Sequence, residues 1–153
     1  MKPDVVFRPS AITQKGKDGF FMPDFVALGE ILIDFMPCRT QDGRIAYSPY
    51  VGGAPANVLT AAARFGRMTA FLGKVGDDMH GQFLRQTLLD AGIDVSGLVM
   101  APDVFTTLAF VALNENGERS FSFARKPGAD TCLRPEELNA AVQDSCRVLH
   151  VGS

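Results

Sequence analysis

Two glycines, a proline and an asparagine stand close together in this chain and could form a binding site. Gly52 and Gly53 leave backbone N–H groups open to close approach by a ligand. Pro55 has the fixed φ of a first helical position, so Asn57 falls in a first helical turn, where donors lack partners. The segment predicts a site for a small polar molecule. The alternative interpretation is a tight turn into a helix that ends at Gly66 and has an ordinary core stripe of Val58, Ala61, Ala62 and Phe65.

Asp34 is the second candidate for ligand chemistry. It lies at the end of a predicted strand from Phe25 to Phe35, just before Pro37. In open α/β sheets, ligands gather outside the carboxyl ends of the strands. A carboxylate can accept hydrogen bonds from two hydroxyls of a polar ligand, and the amide of Asn57 can both donate to a hydroxyl and accept from one. The alternative interpretation of Asp34 is a solvated acid at a strand end.

The elements that must position these residues alternate as in a βαβ protein, which predicts a parallel sheet with flanking helices. We predict strands at Phe25 to Phe35, Thr69 to Val75 and Arg147 to Val151. We predict helices from Pro55, from Asp78 to Ala91 and from Pro135. Asp78 is an N-terminal cap for its helix and Gly92 a stop signal. Residues 1–24 show no periodicity and are expected to be a flexible tail.

Two stretches do not fit this alternation. One is Ile45 to Val51, and the other is the pair Thr106 to Leu113 and Arg119 to Arg125, which predicts a β-hairpin with its turn at residues 114–117. Period-two alternation places four residues on one hairpin face, namely Arg119, Phe121, Phe123 and Arg125. This face could contact a ligand. An antiparallel hairpin that packs its aromatic rings on its own domain is the alternative.

Composition excludes several classes of function. The 153 residues have a formal net charge of −2 and no basic stripe, which argues against nucleic acid as a partner. Every apolar run is interrupted well before the roughly 18 residues that span a bilayer. No secretory signal or typical transit peptide is recognisable in the tail, so we expect a cytoplasmic protein, with a plastid as the alternative. Cys38, Cys132 and Cys146 are too widely spaced to predict a disulfide framework or a zinc site.

The remaining acids and histidines predict structure rather than catalysis. Asp77 and Asp78 are interpreted as a helix N-cap with dipole support, not as a metal pair. His80 and His150 are isolated from other ligating residues, and no metal site is predicted. Gly128 to Asp130 is interpreted as a turn without a catalytic role.

Several ordered motifs together resemble a known family. Gly52 to Asn57, with Gly66 and Gly76 at the expected distances, is similar to the amino-terminal signature of the ribokinase-like (pfkB) carbohydrate kinases. Three further blocks resemble the fructokinase branch, at Gly29 to Phe35, Lys74 to Asp78 and Gly117 to Arg125. The resemblance extends from Phe25 to Ser153, and Leu59 departs from it where the signature prefers a small residue.

This resemblance implies an α/β, Rossmann-like ribokinase fold with a small β-sheet lid formed near residues 45–51 and 105–125. Residues 25–153 would form the N-terminal part of the kinase domain. The implied activity is ATP-dependent phosphorylation of a sugar, fructose before ribose or 2-keto-3-deoxygluconate, with a homodimer formed through the lid. The implied sugar contacts are Asp34, Gly52, Gly53 and Asn57, with Phe110 and Arg125 reaching from the lid.

The resemblance also implies what this stretch lacks. The chain ends in a strand-like run at about half of the family's length, and the ATP site, the Mg-associated acids and the catalytic base belong to the other half. We therefore expect no catalytic residue here and negligible activity for the chain alone. A non-catalytic half-kinase that serves as a binding or dimerisation module is the alternative. An intact mass near 16.5 kDa for the natural protein would favour that module.

Overall fold

A computed structural model describes residues 22–113, 116 and 118–152 of the chain. Most of the predicted tail and residues 114, 115 and 117 of the predicted turn lie outside this range. The elements in chain order are β1 Phe25–Gly29, β2 Leu32–Arg39, β3 Ile45–Gly52, α1 Ala54–Arg64, β4 Thr69–Gly76, α2 Met79–Asp90, β5 Asp94–Ala101, β6 Leu108–Leu113, β7 Arg119–Ala124, 3₁₀ turns Ala129–Cys132 and Pro135–Glu137, α3 Ala140–Asp144 and β8 Val148–Gly152.

Four strands form a parallel sheet in the order β5-β4-β1-β8, which confirms the predicted α/β class. All eight residues of β4 are buried. Their nearly unbroken apolar run is typical of a parallel strand that is covered on both faces. Phe71 packs with Leu59 of α1 and Leu84 of α2 on one face of the sheet, and Leu72 packs with Val142 of α3 on the other.

A second sheet has the order β3-β2-β6-β7, and we call it the lid. β2 pairs antiparallel with β3 and parallel with β6, and β6 pairs antiparallel with β7. The strand predicted near residues 45–51 and the predicted hairpin are therefore confirmed. Within the described residues no helix is long and apolar enough to cross a bilayer.

The single strand predicted from Phe25 to Phe35 is wrong. The chain forms β1 in the parallel sheet, leaves it at Gly29, and after two intervening residues enters the lid as β2 at Leu32. The apolar run hides this break because Ile31 and Ile33 are as buried as Val26. Asp34 is consequently the third residue of a lid strand and does not end a strand of the parallel sheet.

The helix predictions need smaller corrections. α1 buries Pro55, Ala56 and Leu59, while Phe65 of the alternative core stripe is 85% exposed. Leu59 is fully buried, so the departure from the family signature fills the core. The helix predicted from Pro135 is only a 3₁₀ turn, and the α-helix begins after Asn139, whose side chain accepts a hydrogen bond from the Val142 N–H.

Two strands also differ from prediction. β5 was not predicted, because Asp94, Ser96 and Gly97 interrupt its apolar pattern. The last strand runs from Val148 to Gly152 and so lies one residue further on than predicted.

Candidate sugar-binding site

The start of α1 lies against the carboxyl ends of two parallel strands. A Cβ atom added to Gly29, at the end of β1, would lie 2.2 Å from the carbonyl oxygen of Gly152 and 2.6 Å from Cγ of Pro55. The three segments therefore touch at this point. It is the edge of the sheet at which ligands bind in open α/β folds.

Gly53 makes the turn into α1 possible. Its φ of +108° is unfavourable for residues with a side chain, and an added Cβ would lie 2.5 Å from the carbonyl oxygen of Glu30. Glu30 also accepts a 3.3 Å hydrogen bond from the N–H of Ala54, so it supports the first turn. Asn57 is exposed in that turn, and its side-chain amide bonds no other described residue. Its donors and acceptor are available to a ligand.

Asp34 on β2 and Gly52 on β3 are diagonal neighbours, because the register pairs Gly52 with Leu32 and Asp34 with Tyr50. A Cβ atom on Gly52 would lie 2.4 Å from Oδ2 of Asp34, so the glycine leaves room for the carboxylate. The Asp34 carboxylate accepts no hydrogen bond from any described residue although it is half-buried. Burial raises its pKa above the ordinary value, and the positive charge of Arg119 partly offsets this. An unpartnered, partly dehydrated carboxylate gains from hydroxyl donors of a ligand.

The lid has two faces, and the strand registers assign residues to them. Asp34 is aligned with Tyr50 on β3 and with Ala109 on β6, which is aligned in turn with Phe123 on β7. These four residues share one surface, which we call the Asp34 face. Alternation adds Arg119 and Phe121 to it.

Phe110 lies on the opposite face of the lid. Its ring stacks on that of Phe35 at 5.0 Å, and Tyr47 meets it edge-on at 5.6 Å. We call this surface the Phe35 face. The sugar contact predicted for Phe110 would have to be made from this second face, which does not contain Asp34.

Arg125 follows β7 directly and is held next to the Asp34 face. Its guanidinium carbon lies 4.6 Å from the ring centroid of Phe123. One guanidinium nitrogen lies 3.1 Å from Oδ2 of Asp130. The structure therefore brings Asp34, Gly52, Gly53 and Asn57 into one connected region and places Arg125 on the lid beside it.

Asp78 is structural, as predicted. Its Oδ1 accepts hydrogen bonds from the N–H groups of His80 and Gly81, which caps α2, and from the hydroxyl of Thr106. Burial alone would raise the pKa of Asp78, but these bonds and the one from the Thr106 N–H outweigh it and lower the pKa. In the described part of the chain no group of three or more His, Cys, Asp or Glu residues could hold a metal ion.

Sequence reasoning missed two residues around this site. Tyr50 has a signal that strand alternation could have revealed, because it lies in a predicted strand at a position on the Asp34 face. Asp130 was interpreted as part of a turn, and its contact with Arg125 depends on how residues 125–132 fold back. No local pattern indicates that contact.

The fold combines a parallel α/β sheet with a second sheet that forms a lid. The model of the pfkB family carbohydrate kinases matches residues 22–153. The chain belongs to this family, which confirms the resemblance found in its motifs.

Individual relatives support this assignment. The chain is 46% identical over 133 residues to probable fructokinase-3 of Arabidopsis thaliana and 44% identical over 131 residues to fructokinase-1 of Oryza sativa subsp. japonica. These alignments cover 84% of the chain but only 38% and 41% of the relatives. The chain thus spans about two fifths of their length.

Solved structures give the same result. The crystal structure of fructokinase from Xylella fastidiosa superposes with a TM-score of 0.77 at 38% identity, covering 85% of this chain and 41% of that one. A putative ribokinase II from E. coli also gives a TM-score of 0.77, at 27% identity and with 85% and 43% of the two chains covered. The ribokinase-like fold is therefore confirmed for the N-terminal part of a kinase domain.

Proposed function

We propose that this chain forms the acceptor side of a kinase that transfers a phosphoryl group from ATP to a sugar, with fructose as substrate and fructose 6-phosphate as product. The carboxylate of Asp34 supports this most directly, since it accepts no hydrogen bond from a described residue and lies against Gly52, close to the start of α1. Similarity to proteins named fructokinase favours fructose. Another sugar of the same family, such as ribose or 2-keto-3-deoxygluconate, is the alternative substrate.

In this proposal, the chain orients the sugar. The Asp34 carboxylate accepts hydrogen bonds from two hydroxyls, and the Asn57 amide donates to one hydroxyl while accepting from another. Gly52 and Gly53 keep side chains out of the space between them. Arg125 donates from the lid. Fixing the acceptor hydroxyl in this way is a large part of catalysis in phosphoryl transfer, where positioning and electrostatics supply most of the rate.

In the described residues no group of three or more His, Cys, Asp or Glu could hold Mg²⁺. The chain also lacks the Asp-Thr-x-Gly-Ala-Gly-Asp segment that the family resemblance assigns to the base and the anion hole. We therefore assign no phosphoryl-transfer step to these residues. Loss of such charge-stabilising groups costs orders of magnitude in rate, so we expect the 153 residues alone to turn over negligible fructose. Measurable ATP-coupled turnover by this polypeptide would contradict that expectation.

The lid supports a second proposal, a homodimer. Ile45, Tyr47 and Phe110 are exposed apolar residues on the Phe35 face, opposite Asp34. Exposed apolar clusters of this kind often mark protein contacts. A non-catalytic half-kinase that dimerises through the lid would use the same face. We propose a cytoplasmic or plastid location for either form.

Fructose binding tests the main proposal. Isothermal titration with fructose, ribose and 2-keto-3-deoxygluconate should show binding that Asp34→Asn weakens by about tenfold or more, because charge-assisted hydrogen bonds are lost. Asp42→Asn is the matched control, since Asp42 is an exposed lid acid that bonds only Thr40 and Arg44. Equal affinity of the Asp34→Asn variant and the unsubstituted protein would contradict the site. Tighter binding of another of the three sugars would change the substrate.

The intact mass of the natural protein decides between the kinase and the module. A mass about twice 16.5 kDa identifies this chain as the acceptor half of an active kinase. A mass near 16.5 kDa supports the half-length module.

A further inference from the structure

Two neighbouring segments connect the parallel sheet to the lid, and they pack directly against each other. Residues 102–107 lead from β5 to β6, and residues 125–128 lead back from β7. The N–H of Ala129 donates a 2.9 Å hydrogen bond to the carbonyl of Phe105. A Cβ atom on Gly128 would lie 1.9 Å from Oγ1 of Thr107. A side chain at residue 128 would therefore force the two segments apart.

Two adjacent buried threonines in the first segment bond in different directions. The N–H of Thr106 donates to Asp78 at 2.8 Å, and its hydroxyl accepts a 3.0 Å bond from the N–H of Gly76, which ties the segment to the parallel sheet. The hydroxyl of Thr107 donates to Oδ1 of Asp130 on the returning segment. The hydroxyls of Thr106 and Thr107 thus link the parallel sheet, the outgoing segment and the returning segment.

Asp130 links these two segments to Arg125, which lies beside the Asp34 face of the lid. Its side chain is 3% exposed, and its second oxygen bonds the Arg125 guanidinium, whose side chain is 38% exposed. A carboxylate buried to this extent is costly unless it is paired, so Arg125 is held firmly in place. The ring of Phe123 restrains the guanidinium on another side. A guanidinium has five N–H donors, and one bond to Asp130 leaves others for a ligand.

We propose that Asp130 is a positioning residue that orients the Arg125 guanidinium toward the sugar at the Asp34 face. The inference rests on the proposed function, because the ligand served is the sugar of that site. A carboxylate fixed by Thr107 removes rotational freedom from the long arginine side chain before the sugar binds, and preorganisation of this kind increases affinity. Asp130 acts through Arg125 and contacts no substrate itself.

A double-mutant cycle on fructose affinity tests this coupling in the complete natural polypeptide. We expect Arg125→Ala and Asp130→Ala each to raise the dissociation constant for fructose about tenfold, as loss of a charged hydrogen bond does. In the Arg125→Ala background, Asp130→Ala should add less than twofold, since the residue it positions is already absent. Asp130→Asn should recover part of the affinity because its amide oxygen still accepts a hydrogen bond. Additive losses would overturn the proposal.

Glu137→Ala is the matched control for general destabilisation. Glu137 is an acid in the same connection to the lid, and it pairs with the buried Lys74 at 2.6 Å, away from Arg125. We expect this variant to unfold at a lower temperature and to bind fructose within twofold of the unsubstituted protein. A tenfold loss of affinity in Glu137→Ala would mean that any weakening of the connection between the two sheets impairs the site. That result would also overturn a specific role for Asp130.

A chemical measurement separates this inference from the proposed function. Phenylglyoxal modifies accessible arginines, and mass spectrometry of the peptide with Arg125 gives the rate without any sugar. We expect Asp130→Ala to speed modification of Arg125 several-fold while leaving Arg119 unchanged. Equal rates at Arg125 would overturn the positioning role. Faster modification together with no binding of any tested sugar would overturn the proposed function and leave the Asp130 contact with Arg125 established.

Discussion

The two sheets of this chain differ in where their residues lie relative to solvent. Every residue of β4 in the parallel sheet is buried, and every residue of β7 in the lid is exposed. The parallel sheet is covered by α1 and α2 on one face and α3 on the other, whereas the Asp34 face of the lid bears exposed Tyr50, Phe121 and Phe123. Stability is therefore supplied largely by the parallel sheet, whereas the contacts proposed for Asp34 and Arg125 with the sugar lie in the lid. The lid can present polar and aromatic groups because it is not required to supply most of the core.

The largest expected effect on the free energy of unfolding comes from the loss of a buried aromatic ring in the parallel sheet. Phe71→Ala in β4 removes a side chain that is 0% exposed, and it should lower the free energy of unfolding by about 3–5 kcal/mol. Phe121→Ala in β7 removes a ring that is 51% exposed and should cost less than about 1 kcal/mol. Urea unfolding followed by circular dichroism measures both. Equal losses would show that the lid contributes to stability as much as the parallel sheet.

The junction between the sheets gives the next largest effect. Asp78→Ala removes the cap of α2 together with two bonds to Thr106, and it should lower the free energy of unfolding by about 1–3 kcal/mol. Asp77→Ala is the control, because the side chain of this exposed neighbouring acid bonds only Gln82 among the described residues. It should change stability by less than about 0.5 kcal/mol.

Acid titration of a second variant, Asp78→Asn, checks the same prediction. A lowered pKa in the folded state means that the contribution of Asp78 is present above the pKa of the unfolded chain and is lost as pH falls through the folded value. The difference between the unsubstituted protein and Asp78→Asn should therefore shrink on acidification. A difference that stays constant from neutral to strongly acidic pH would show that the charge of Asp78 is not responsible.

Asp34 should show the smallest effect on stability, with the opposite sign. Its pKa is raised by burial, so its ionisation disfavours the folded state, and stability from this group is present below the unfolded pKa and lost as pH rises through the folded one. Asp34→Asn should then leave the protein as stable at pH 7 or slightly more stable, because solvent screens this partly exposed carboxylate. Thermal unfolding at neutral and acidic pH measures this. Clear destabilisation at pH 7 would make Asp34 a structural residue.

Fructose affinity should depend on the ionisation of Asp34 in the opposite sense to stability. The ionised carboxylate is the form that accepts two hydroxyl protons, so binding should weaken as pH falls through the raised pKa of Asp34. The Asp34→Asn variant should lose this pH dependence. Titration calorimetry across the acidic range, with Asp42→Asn as the control, compares the two lid acids directly.

Several features of the fold could be predicted because they depend on short stretches of chain. Asp78 as a cap, Gly66 with its φ of +75° after α1, and the buried run of β4 all follow from local conformational preference or hydrophobic pattern. The hairpin of β6 and β7 follows from alternation around a polar turn. Gly52 to Asn57 predicted the turn into α1, because a glycine before a helix and a proline in its first turn are local signals.

Other features could not be predicted, because they depend on which surfaces meet. The first predicted strand divides into β1 and β2 because one apolar run of the chain contributes a strand to each of the two sheets. The position of Phe110 opposite Asp34 depends on a parallel register between β2 and β6, strands some 70 residues apart in the chain. The helix predicted from Pro135 shortened to a 3₁₀ turn where Glu137 bonds Lys74 of β4.

The sequence by itself determined the family, the α/β class and the residues able to bind hydroxyls, because those depend on residue type and on spacing within short segments. Only the tertiary structure decided which sheet contains Asp34, which lid face contains Phe110, and that Asp130 is buried against Arg125. The physical reason is that these contacts join segments distant in sequence, and their geometry is fixed by packing and by the pairing of buried charges.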